Sequence, residues 1–506
     1  MKKRMIPELI LSLKGYNSNL LLKDIIAGII VGIIALPLSI ALAIASGAQP
    51  AAGLVTAIFA GASAALFGGS KTQISGPTGA FVVIVAGIIG THGTAGLLLA
   101  TLMAGFFIII MGVARLGKYV RYIPLPVIVG FTIGIAVTIF ITQLNDFLGL
   151  GLGGVPSQTL PRLFYIFKHI SSLSFLTLGM GCLAIAIIVI VPKVQKLMPG
   201  PLIAIILCTI VNLLLPVKSV TLGDIFGTID INIKLNIFSF ELASIPSLIV
   251  PALTIAFLAA VESLLSAVVA DGMTHTKHNS NMELVGQGCA NIFSAMFGGL
   301  PATGAIARTS ANIKNGGRTP ISALVHSIVI LLLSLFLMPY AKFIPMSVFA
   351  AILIVVCYNM VDIKEVKKIC KTTPVDIGLM VTTFALTVIF DLVVAILVCT
   401  SLSLLYQAYI KLIKKHKGSK EDSADCIKLK GVVSYMNYER LLDTNSQSLT
   451  LDIQEVIDID ATFTDFLIKK TKRNHIKIIN PNKKLFERLI VHPEFAYLKK
   501  ENSFLL

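Results

Sequence analysis

Long apolar segments recur through most of this chain, and they are the feature that most limits what it can fold into. Stretches long enough to cross a bilayer as a helix, roughly 20 residues, follow one another from Ile25 to about Ile410. With 55% hydrophobic and only 13% charged residues, the chain has too little polar surface for a soluble globular protein. We therefore predict an all-α polytopic membrane domain of about fourteen spans, two of them short.

The positive charge of the chain follows this predicted topology. The formal net charge is +16, which by itself is compatible with nucleic-acid binding. The basic clusters, however, fall between apolar segments, at Lys2–Arg4, Arg115–Arg121, Lys193–Lys196, Lys314–Arg318, Lys364–Lys371 and Lys411–Lys420. With about fourteen spans and a cytoplasmic N-terminus, all of them lie on the cytoplasmic side, as the positive-inside rule requires. We expect a multi-pass protein of the cell membrane, surrounded by the lipid bilayer, with both termini cytoplasmic and no nucleic-acid partner.

The composition changes after Lys414. Half of the acidic residues, 13 of 26, lie in the last 93 residues, where apolar runs shorten to strand length. Strand-like and helix-like segments alternate there, in the order Ser448–Ile453, Phe463–Lys472, Ile476–Ile479 and Lys483–Ile490. This order predicts a small α/β layer fold. We therefore predict a membrane transport domain over residues 1–413 and a soluble domain over residues 414–506.

Motifs for nucleotide, metal and enzymatic chemistry are missing from the sequence. It contains no phosphate-binding loop of the GxxxxGK[ST] type, so ATP-driven transport has no support. The seven cysteines form no CxxC pair and no cluster with histidine, which argues against a metal site. No nucleophile–base pair lies inside the apolar segments, which argues against a membrane enzyme. We expect no metal and no cofactor.

A short motif occurs twice in the membrane region. Phe67-Gly68-Gly69 precedes Pro77-Thr78-Gly79-Ala80, and Phe297-Gly298-Gly299 precedes Pro301-Ala302-Thr303-Gly304-Ala305. Each copy opens a short apolar segment, and the copies lie about seven spans apart, so the two segments run in opposite directions. Such paired, interrupted segments mark the substrate site of many transporters, because half-helix N-termini expose backbone N–H groups at mid-membrane and suit an anion. The alternative, that the glycines only permit close helix packing, is less favourable for two inverted copies.

Glu262 is an acidic residue near the middle of the predicted span Leu248–Ala270. An ionised carboxylate there is costly by a few kcal/mol or more, so we expect a proton, a sodium ion or a cationic side chain to neutralise it. Ser266 lies one helical turn further along and can complete a hydroxyl–carboxylate ion site. A structural carboxylate bonded to backbone is the alternative. Asp391, the other acid in an apolar context, is predicted to lie at a hairpin turn.

Arg308 follows the second copy of the motif by one turn. If that helix begins at mid-membrane, the arginine adds positive charge for an anionic ligand. Pairing with Glu262 is its other predicted role, and a pair that breaks on substrate binding would couple the two sites. His326 is predicted to be a packing or interfacial histidine near a helix end.

Several of these stretches resemble the SulP anion transporters, the sulfate permease family. The similar segments are ISGPTGAFVV at Ile74–Val83, VESLLSA at Val261–Ala267, GQG at Gly286–Gly288, GLPATGAIART at Gly299–Thr309, and DIIAG and ALPL at Asp24–Gly28 and Ala35–Leu38. The resemblance covers essentially the whole chain. It implies about fourteen spans in an inverted seven-plus-seven repeat, a homodimer, and a C-terminal cytoplasmic STAS domain.

The resemblance also implies site residues. Together with the repeated motif it places the anion site at Ala41, Leu42, Pro77, Thr78, Gly79, Ala80, Thr303, Gly304, Ala305, Ala307 and Arg308. Glu262 stands where family members hold a coupling carboxylate; a glutamate there indicates proton coupling, whereas sodium-coupled bicarbonate relatives have an aspartate. Leu38 stands where the family commonly has a glutamine. In the tail, Ala461 replaces a residue that is often phosphorylatable, leaving Thr462 as the near substitute.

Three functions remain open from the sequence. The first is a secondary active transporter of a small inorganic or carboxylate anion, coupled through Glu262 to a proton or sodium ion. The second is a nucleobase permease of the same architecture, which Arg308 and the STAS-like tail disfavour. The third is an uncoupled anion channel or exchanger, which has no need of a protonatable Glu262.

Overall fold

The computed structural model describes residues 5–118, 124–153, 155–156, 158–194, 199–227, 244–274 and 276–389, and short pieces between residues 398 and 485. The helices are α1 (Glu8–Ser12), α2 (Ser18–Ala45), α3 (Pro50–Phe67), α4 (Val82–Val113), α5 (Leu125–Leu148), α6 (Thr159–Lys168), α7 (Phe175–Val194), α8 (Gly200–Leu214), α9 (Leu222–Phe226), α10 (Ile245–Thr274), α11 (Ser280–Met296), α12 (Ile306–Lys314), α13 (Ile321–Ala341), α14 (Met346–Met360), α15 (Ile363–Ile369) and α16 (Pro374–Ile389). The strands are β1 (Ser75–Gly76), β2 (Thr303–Gly304), β3 (Cys426–Val433), β4 (Leu449–Ile459) and β5 (Ile476–Ile479).

Eight helical stretches within the described ranges are long and apolar enough to cross a membrane. They are Ser18–Ala45, Pro50–Phe67, Gly79–Val113, Leu125–Leu148, Phe175–Val194, Ile245–Thr274, Ile321–Ala341 and Met346–Ile369. Two shorter apolar helices, Gly200–Leu214 and Pro374–Ile389, accompany them. The polytopic helical architecture expected from the apolar segments is therefore present. The hairpin predicted at Asp391 lies outside the described residues.

The long stretch Gly79–Val113 is interrupted at Gly93. This glycine has φ 67° and ψ −173°, a left-handed backbone conformation that side-chain-bearing residues rarely adopt. The interruption leaves a short helical segment between Gly79 and Gly93, followed by a second one that ends at Val113. α12 is shorter still, with 9 residues. Both copies of the repeated motif therefore precede short helices.

Glycines bring α4 and α11 into close contact. A Cβ added at Gly105 of α4 would lie 2.8 Å from the carbonyl oxygen of Gly288 on α11. Small residues at such crossings allow the helix backbones to approach each other inside a membrane, where dispersion contacts replace the hydrophobic effect as the source of stability. Phe59 of α3 stacks on Phe297, just past the end of α11, with ring centroids 3.8 Å apart. The two copies of the motif are thus held in one packed unit.

A buried carboxylate anchors the beginning of α2. Asp24 accepts hydrogen bonds from the backbone N–H groups of Arg318 (2.7 Å) and Thr319 (3.2 Å) and from the Thr319 hydroxyl (2.5 Å). The Tyr16 hydroxyl also donates to it, at 3.0 Å. Burial and the neighbouring carboxylate raise the pKa of Tyr16 to about 12, so its phenol remains a donor at neutral pH. This cluster joins the start of α2 to the connection between α12 and α13.

The chain divides into two compact units. One comprises Met1–Val120 with Ile135–Met360 and contains both copies of the motif; the other comprises Arg121–Gly134 with Val361–Leu506. In the second unit, a Cβ added at Gly134 would lie 2.6 Å from Cβ of Thr387 on α16, so the start of α5 packs tightly against that helix.

Strands β3, β4 and β5 of the second unit form a parallel sheet in that order. β5 has the predicted bounds, β4 extends further than the predicted strand, and β3 was not predicted. Because parallel strands require crossover connections, the sheet fits the α/β pattern expected for this region. The predicted domain boundary near Lys414 falls outside the described residues.

Candidate functional site

The two copies of the motif meet through a two-stranded antiparallel ladder. Ser75 of β1 pairs with Gly304 of β2, and Gly76 pairs with Thr303. The backbone N–H of Ala305 donates to the carbonyl oxygen of Ile74 at 2.8 Å and extends the ladder. Because the strands are antiparallel and each leads into a short helix, the two helices leave the ladder in opposite directions.

Both short helices begin without a side-chain cap. Thr78 precedes the turn Gly79–Phe81 with extended backbone (φ −130°, ψ 160°), and Ala305 precedes α12; neither side chain bonds to the first turn. A threonine at an N-cap usually accepts a hydrogen bond from the helix, but the Thr78 hydroxyl is directed elsewhere. Ile306 and Ala307 are exposed at the start of α12. No capping side chain therefore accepts a hydrogen bond from the first-turn N–H groups. Helix N-termini with such free N–H groups can bind anions.

The Thr78 hydroxyl donates to the carboxylate of Glu262 at 3.0 Å. Glu262 lies on α10 and is partly exposed, between buried Val261 and Ser263. The predicted coupling carboxylate thus touches the N-cap residue of the first short helix. Any change in the charge of Glu262 acts directly on that hydrogen bond.

Arg308 lies beneath the ladder. Its side chain is only 2% exposed, and Nη2 donates to the carbonyl oxygen of Pro77 at 2.9 Å. A Cβ added at Gly76 would lie 2.5 Å from Arg308 Nη1, so the glycine makes room for the guanidinium. Nε and Nη1 have no hydrogen-bond partner. The described side chains of Arg308 and Glu262 form no direct ion pair, although their charges interact through space.

Ser266 contacts Thr309 instead of the Glu262 carboxylate. Its hydroxyl donates to Thr309 Oγ1 at 3.3 Å, and the same oxygen accepts from the backbone N–H of Ile74 at 3.0 Å. Thr303 donates to the carbonyl oxygen of Ala259 on α10 at 3.0 Å. These contacts attach α10 directly to β2 and, through Thr309, to Ile74, the residue before β1. Ser266 therefore lies beside the site without a bond to the coupling carboxylate.

An apolar surface faces the beginning of the first short helix. A Cβ added at Gly79 would lie 2.9 Å from Ile139 Cδ1, 3.7 Å from Met360 Sδ and 4.0 Å from Leu42 Cδ2. Leu42 and its neighbour Ala41 are buried. Leu42, one of the two α2 residues that the family resemblance indicates, is therefore close to this helix start. Ile139 of α5 and Met360 of α14, which the sequence did not single out, lie there as well.

Polar side chains of α11 hold the ladder in place, a role that the sequence did not predict for them. Gln287 donates to the Ser75 hydroxyl (2.6 Å) and to Glu283 (2.9 Å). Glu283 in turn accepts from the backbone N–H of Gly69 at 2.9 Å. Asn291 both donates to the carbonyl oxygen of Ala302 and accepts from its N–H, at 2.8 and 2.9 Å. Their spacing of four residues, which puts all three on one helix face, was the available signal.

Gln73 is a further buried polar residue that was missed. It precedes β1, and neither of its amide atoms has a hydrogen-bond partner. Its amide occupies the position that a Cβ on Gly304 would take. A polar side chain therefore packs directly against each of these glycines: Arg308 against Gly76, and Gln73 against Gly304.

We predict that Gly304→Ala destabilises the site, because its methyl group would overlap the Gln73 amide. Overpacking of this kind costs about 1–3 kcal/mol, and we expect a lower melting temperature in detergent. Gly87→Ala is the matched control, since a Cβ at Gly87 of α4 has nothing within 4 Å. Equal stability of the two variants would show that the ladder tolerates a side chain at Gly304.

The fold and the site define a class of protein. Apolar spanning helices enclose two short, oppositely directed helices that meet at their N-termini, which is the construction of a polytopic membrane transporter. Residues 21–383 match the sulfate permease family, and the chain belongs to this family of transporters.

Named relatives support the assignment. The chain is 44% identical over 402 residues to the putative sulfate transporter YvdB of Bacillus subtilis, covering 79% of this chain and 75% of the relative. It is 38% identical over 389 residues to the bicarbonate transporter BicA of a Picosynechococcus species, covering 74% and 68%. The solved transmembrane domain of a cyanobacterial BicA superposes with a TM-score of 0.68 at 32% identity, covering 75% of this chain and 98% of that one. Murine Slc26a9 has the same fold, with a TM-score of 0.73 at 15% identity over 97% of this chain and 90% of that one.

Proposed function

We propose that this protein is a secondary active transporter of a small anion across the cell membrane, coupled to a proton through Glu262. The observation that carries the proposal is the meeting of two uncapped helix starts at a ladder that has a buried arginine beneath it. Backbone N–H groups, two helix dipoles and one guanidinium all favour negative charge at this place. The substrate site comprises Pro77, Thr78, Gly79 and Ala80 of the first segment, Thr303, Gly304, Ala305, Ala307 and Arg308 of the second, and Ala41 and Leu42 of α2.

Charge balance gives the coupling mechanism. With Glu262 ionised, its negative charge offsets that of Arg308, and a second anion between them meets repulsion from the carboxylate. Once Glu262 takes up a proton, Arg308 has no compensating charge, and an anion supplies it. Since a buried net charge is costly, anion and proton enter together. For a monovalent anion this symport with one proton is electroneutral.

The contact between Thr78 and Glu262 favours coupling over an uncoupled channel or exchanger. Protonation of the carboxylate changes the hydrogen bond that it accepts at the start of the first short helix, where the anion is proposed to bind. An uncoupled channel gains nothing from a carboxylate at that point. Sodium is the other candidate for the coupling ion; Ser266, bonded to Thr309, contributes to such a site only after a rotamer change.

The relatives bear on the substrate class. Proteins named as sulfate transporters and as bicarbonate transporters are similar to this chain to comparable degrees. The site offers N–H groups and one arginine, which accept sulfate, bicarbonate or a carboxylate alike. We propose a small oxyanion as the substrate. An uncharged nucleobase would form no ionic interaction with Arg308, which disfavours a nucleobase permease.

The remaining proposals concern organisation. We propose a homodimer in the cell membrane with both termini cytoplasmic, and a STAS-like domain over residues 414–506 that serves assembly or trafficking. The first would be tested by cross-linking of single-cysteine variants in native membranes, and the second by the effect of deleting residues 414–506 on membrane abundance.

The substrate class is tested by counterflow. Purified protein in liposomes is loaded with unlabelled sulfate, bicarbonate, succinate or uracil, and uptake of the labelled form of each compound is followed. We expect exchange of at least one of the three anions and none of uracil, with protein-free liposomes as the control. Uracil exchange without anion exchange would replace the anion transporter with a nucleobase permease.

A further inference from the structure

His326 is a buried histidine that belongs neither to the proposed anion site nor to the coupling group. It lies on α13, in the sixth position of the helix, and its side chain is 0% exposed. Neither ring nitrogen has a hydrogen-bond partner. Buried polar groups nearly always have one, so a fully enclosed imidazole without a partner points to a role beyond packing.

The imidazole and the Arg308 guanidinium both lie beside α3. A Cβ added at Gly61 of α3 would lie 3.8 Å from His326 Nδ1, and a Cβ added at Gly76 would lie 2.5 Å from Arg308 Nη1 and 3.6 Å from Cα of Ala57. Ala57 and Gly61 are four residues apart, about one helical turn. Both side chains therefore lie along one face of α3, behind β1.

The backbone of α3 is irregular at this face. Thr56–Ala60 form a π-helical turn, a feature that often occurs at functional sites. The carbonyl oxygen of Ala57 accepts a hydrogen bond from the Ser327 hydroxyl, at 3.3 Å. Ser327, the residue after His326, thus links α13 to the π-helical turn of α3 that faces Arg308.

The two groups are chemically complementary. Arg308 has two unpartnered donor nitrogens, Nε and Nη1, and a neutral imidazole provides one acceptor nitrogen. A second positive charge enclosed beside the guanidinium would be costly, which favours the neutral imidazole.

We infer that His326 is a positioning residue for Arg308. Its neutral imidazole accepts a hydrogen bond from the guanidinium as the two short helices shift during transport. This bond fixes the position of the Arg308 guanidinium next to β1. His326 acts on the anion through Arg308 alone. The inference rests on the proposed function, because it requires that Arg308 contribute to anion affinity.

The test is a double-mutant cycle on KM for labelled sulfate and labelled bicarbonate in proteoliposomes. His326→Leu removes the acceptor, and we expect KM for the transported anion to rise about tenfold, with little change in maximal rate. His326→Gln keeps a neutral acceptor and should stay within about threefold of wild type. In an Arg308→Ala background, His326→Leu should change KM by less than about twofold, because the partner is gone. Ser334→Ala, about two turns further along α13, is the matched control: its hydroxyl donates to the carbonyl oxygen of Leu331 in the same helix, so KM should be unchanged.

The outcomes separate the inference from the proposed function. If His326→Leu raises KM equally with and without Arg308, or lowers only the melting temperature, His326 is a packing residue and the inference is wrong. If Arg308→Ala itself leaves KM unchanged, the anion site has been misplaced. Should His326→Leu not fold, His326→Asn replaces it, since the shorter amide keeps the polarity but withdraws the acceptor from Arg308.

Discussion

Arg308→Ala should weaken anion binding by about 100-fold or more. Arg308 is the buried cation beneath the two helix starts, and its removal leaves the Pro77 carbonyl oxygen without the donor seen at 2.9 Å. Arg308→Lys restores the charge but not the planar group that passes behind Gly76, so an intermediate loss is expected. Binding is measured by ligand-induced thermal stabilisation of the purified protein over a range of sulfate and bicarbonate concentrations.

Arg318→Ala is the matched control for this prediction. It removes the same charge from an exposed position just beyond the end of α12, where, among the described residues, the side chain donates to the carbonyl oxygens of Ile313 and Gly317. We expect affinity close to that of wild type, because exposed charges are screened by water and salt. If Arg308→Ala and Arg318→Ala bind anions equally well, Arg308 has a structural role only.

Glu262→Gln should abolish accumulation of the anion against its gradient while leaving binding detectable. The amide has the shape of the protonated carboxyl and can still accept from Thr78, so the site keeps its geometry. It can neither release nor take up a proton, and the link between proton and anion is lost. Accumulation is measured as labelled anion inside proteoliposomes under an imposed pH gradient.

Glu283→Gln tests whether this effect is specific to Glu262. Glu283 is a second carboxylate within the helix packing, and it is more deeply buried than Glu262. It accepts hydrogen bonds from Gln287 and from the backbone of Gly69, and none of its hydrogen bonds within the described residues goes to the two helix starts. We expect lower thermal stability with accumulation retained. Loss of accumulation in Glu283→Gln but not in Glu262→Gln would move the coupling role from α10 to α11.

The sequence predicted, for physical reasons, which segments and which ionisable residues lie close together. Each copy of the motif places glycine and proline within a few residues of each other, a pattern typical of backbone that leaves the helix. The two interruptions, at Pro77 and Pro301, lie in the segments that the ladder joins. Glu262 and Arg308 were recognisable because ionisable groups are costly inside spans. Each of them does lie beside the ladder, one touching Thr78 and the other Pro77.

What the sequence did not predict depends on contacts between distant segments. Ser266 lies one turn from Glu262, which suggested a shared ion site, yet the packing of α12 brings Thr309 to its hydroxyl instead. Gln73 is an ordinary polar residue in the sequence, and Gln287 entered only as part of the family-like GQG segment. Their contacts at the ladder depend on the tertiary packing. The sequence predicts His326 near a helix end, and it does lie in the first two turns of α13. Its complete burial beside α3 depends on tertiary packing, which the sequence pattern does not reveal.

Uptake driven by defined gradients is the most direct test of proton-coupled anion transport. Proteoliposomes are given an inward pH gradient, an inward sodium gradient, both or neither, and labelled sulfate, bicarbonate and succinate are followed with wild type and Glu262→Gln. We predict that wild type concentrates one of these anions under the pH gradient without sodium, and that Glu262→Gln only equilibrates it. Accumulation that requires sodium, or that persists in Glu262→Gln, would contradict proton coupling through this carboxylate.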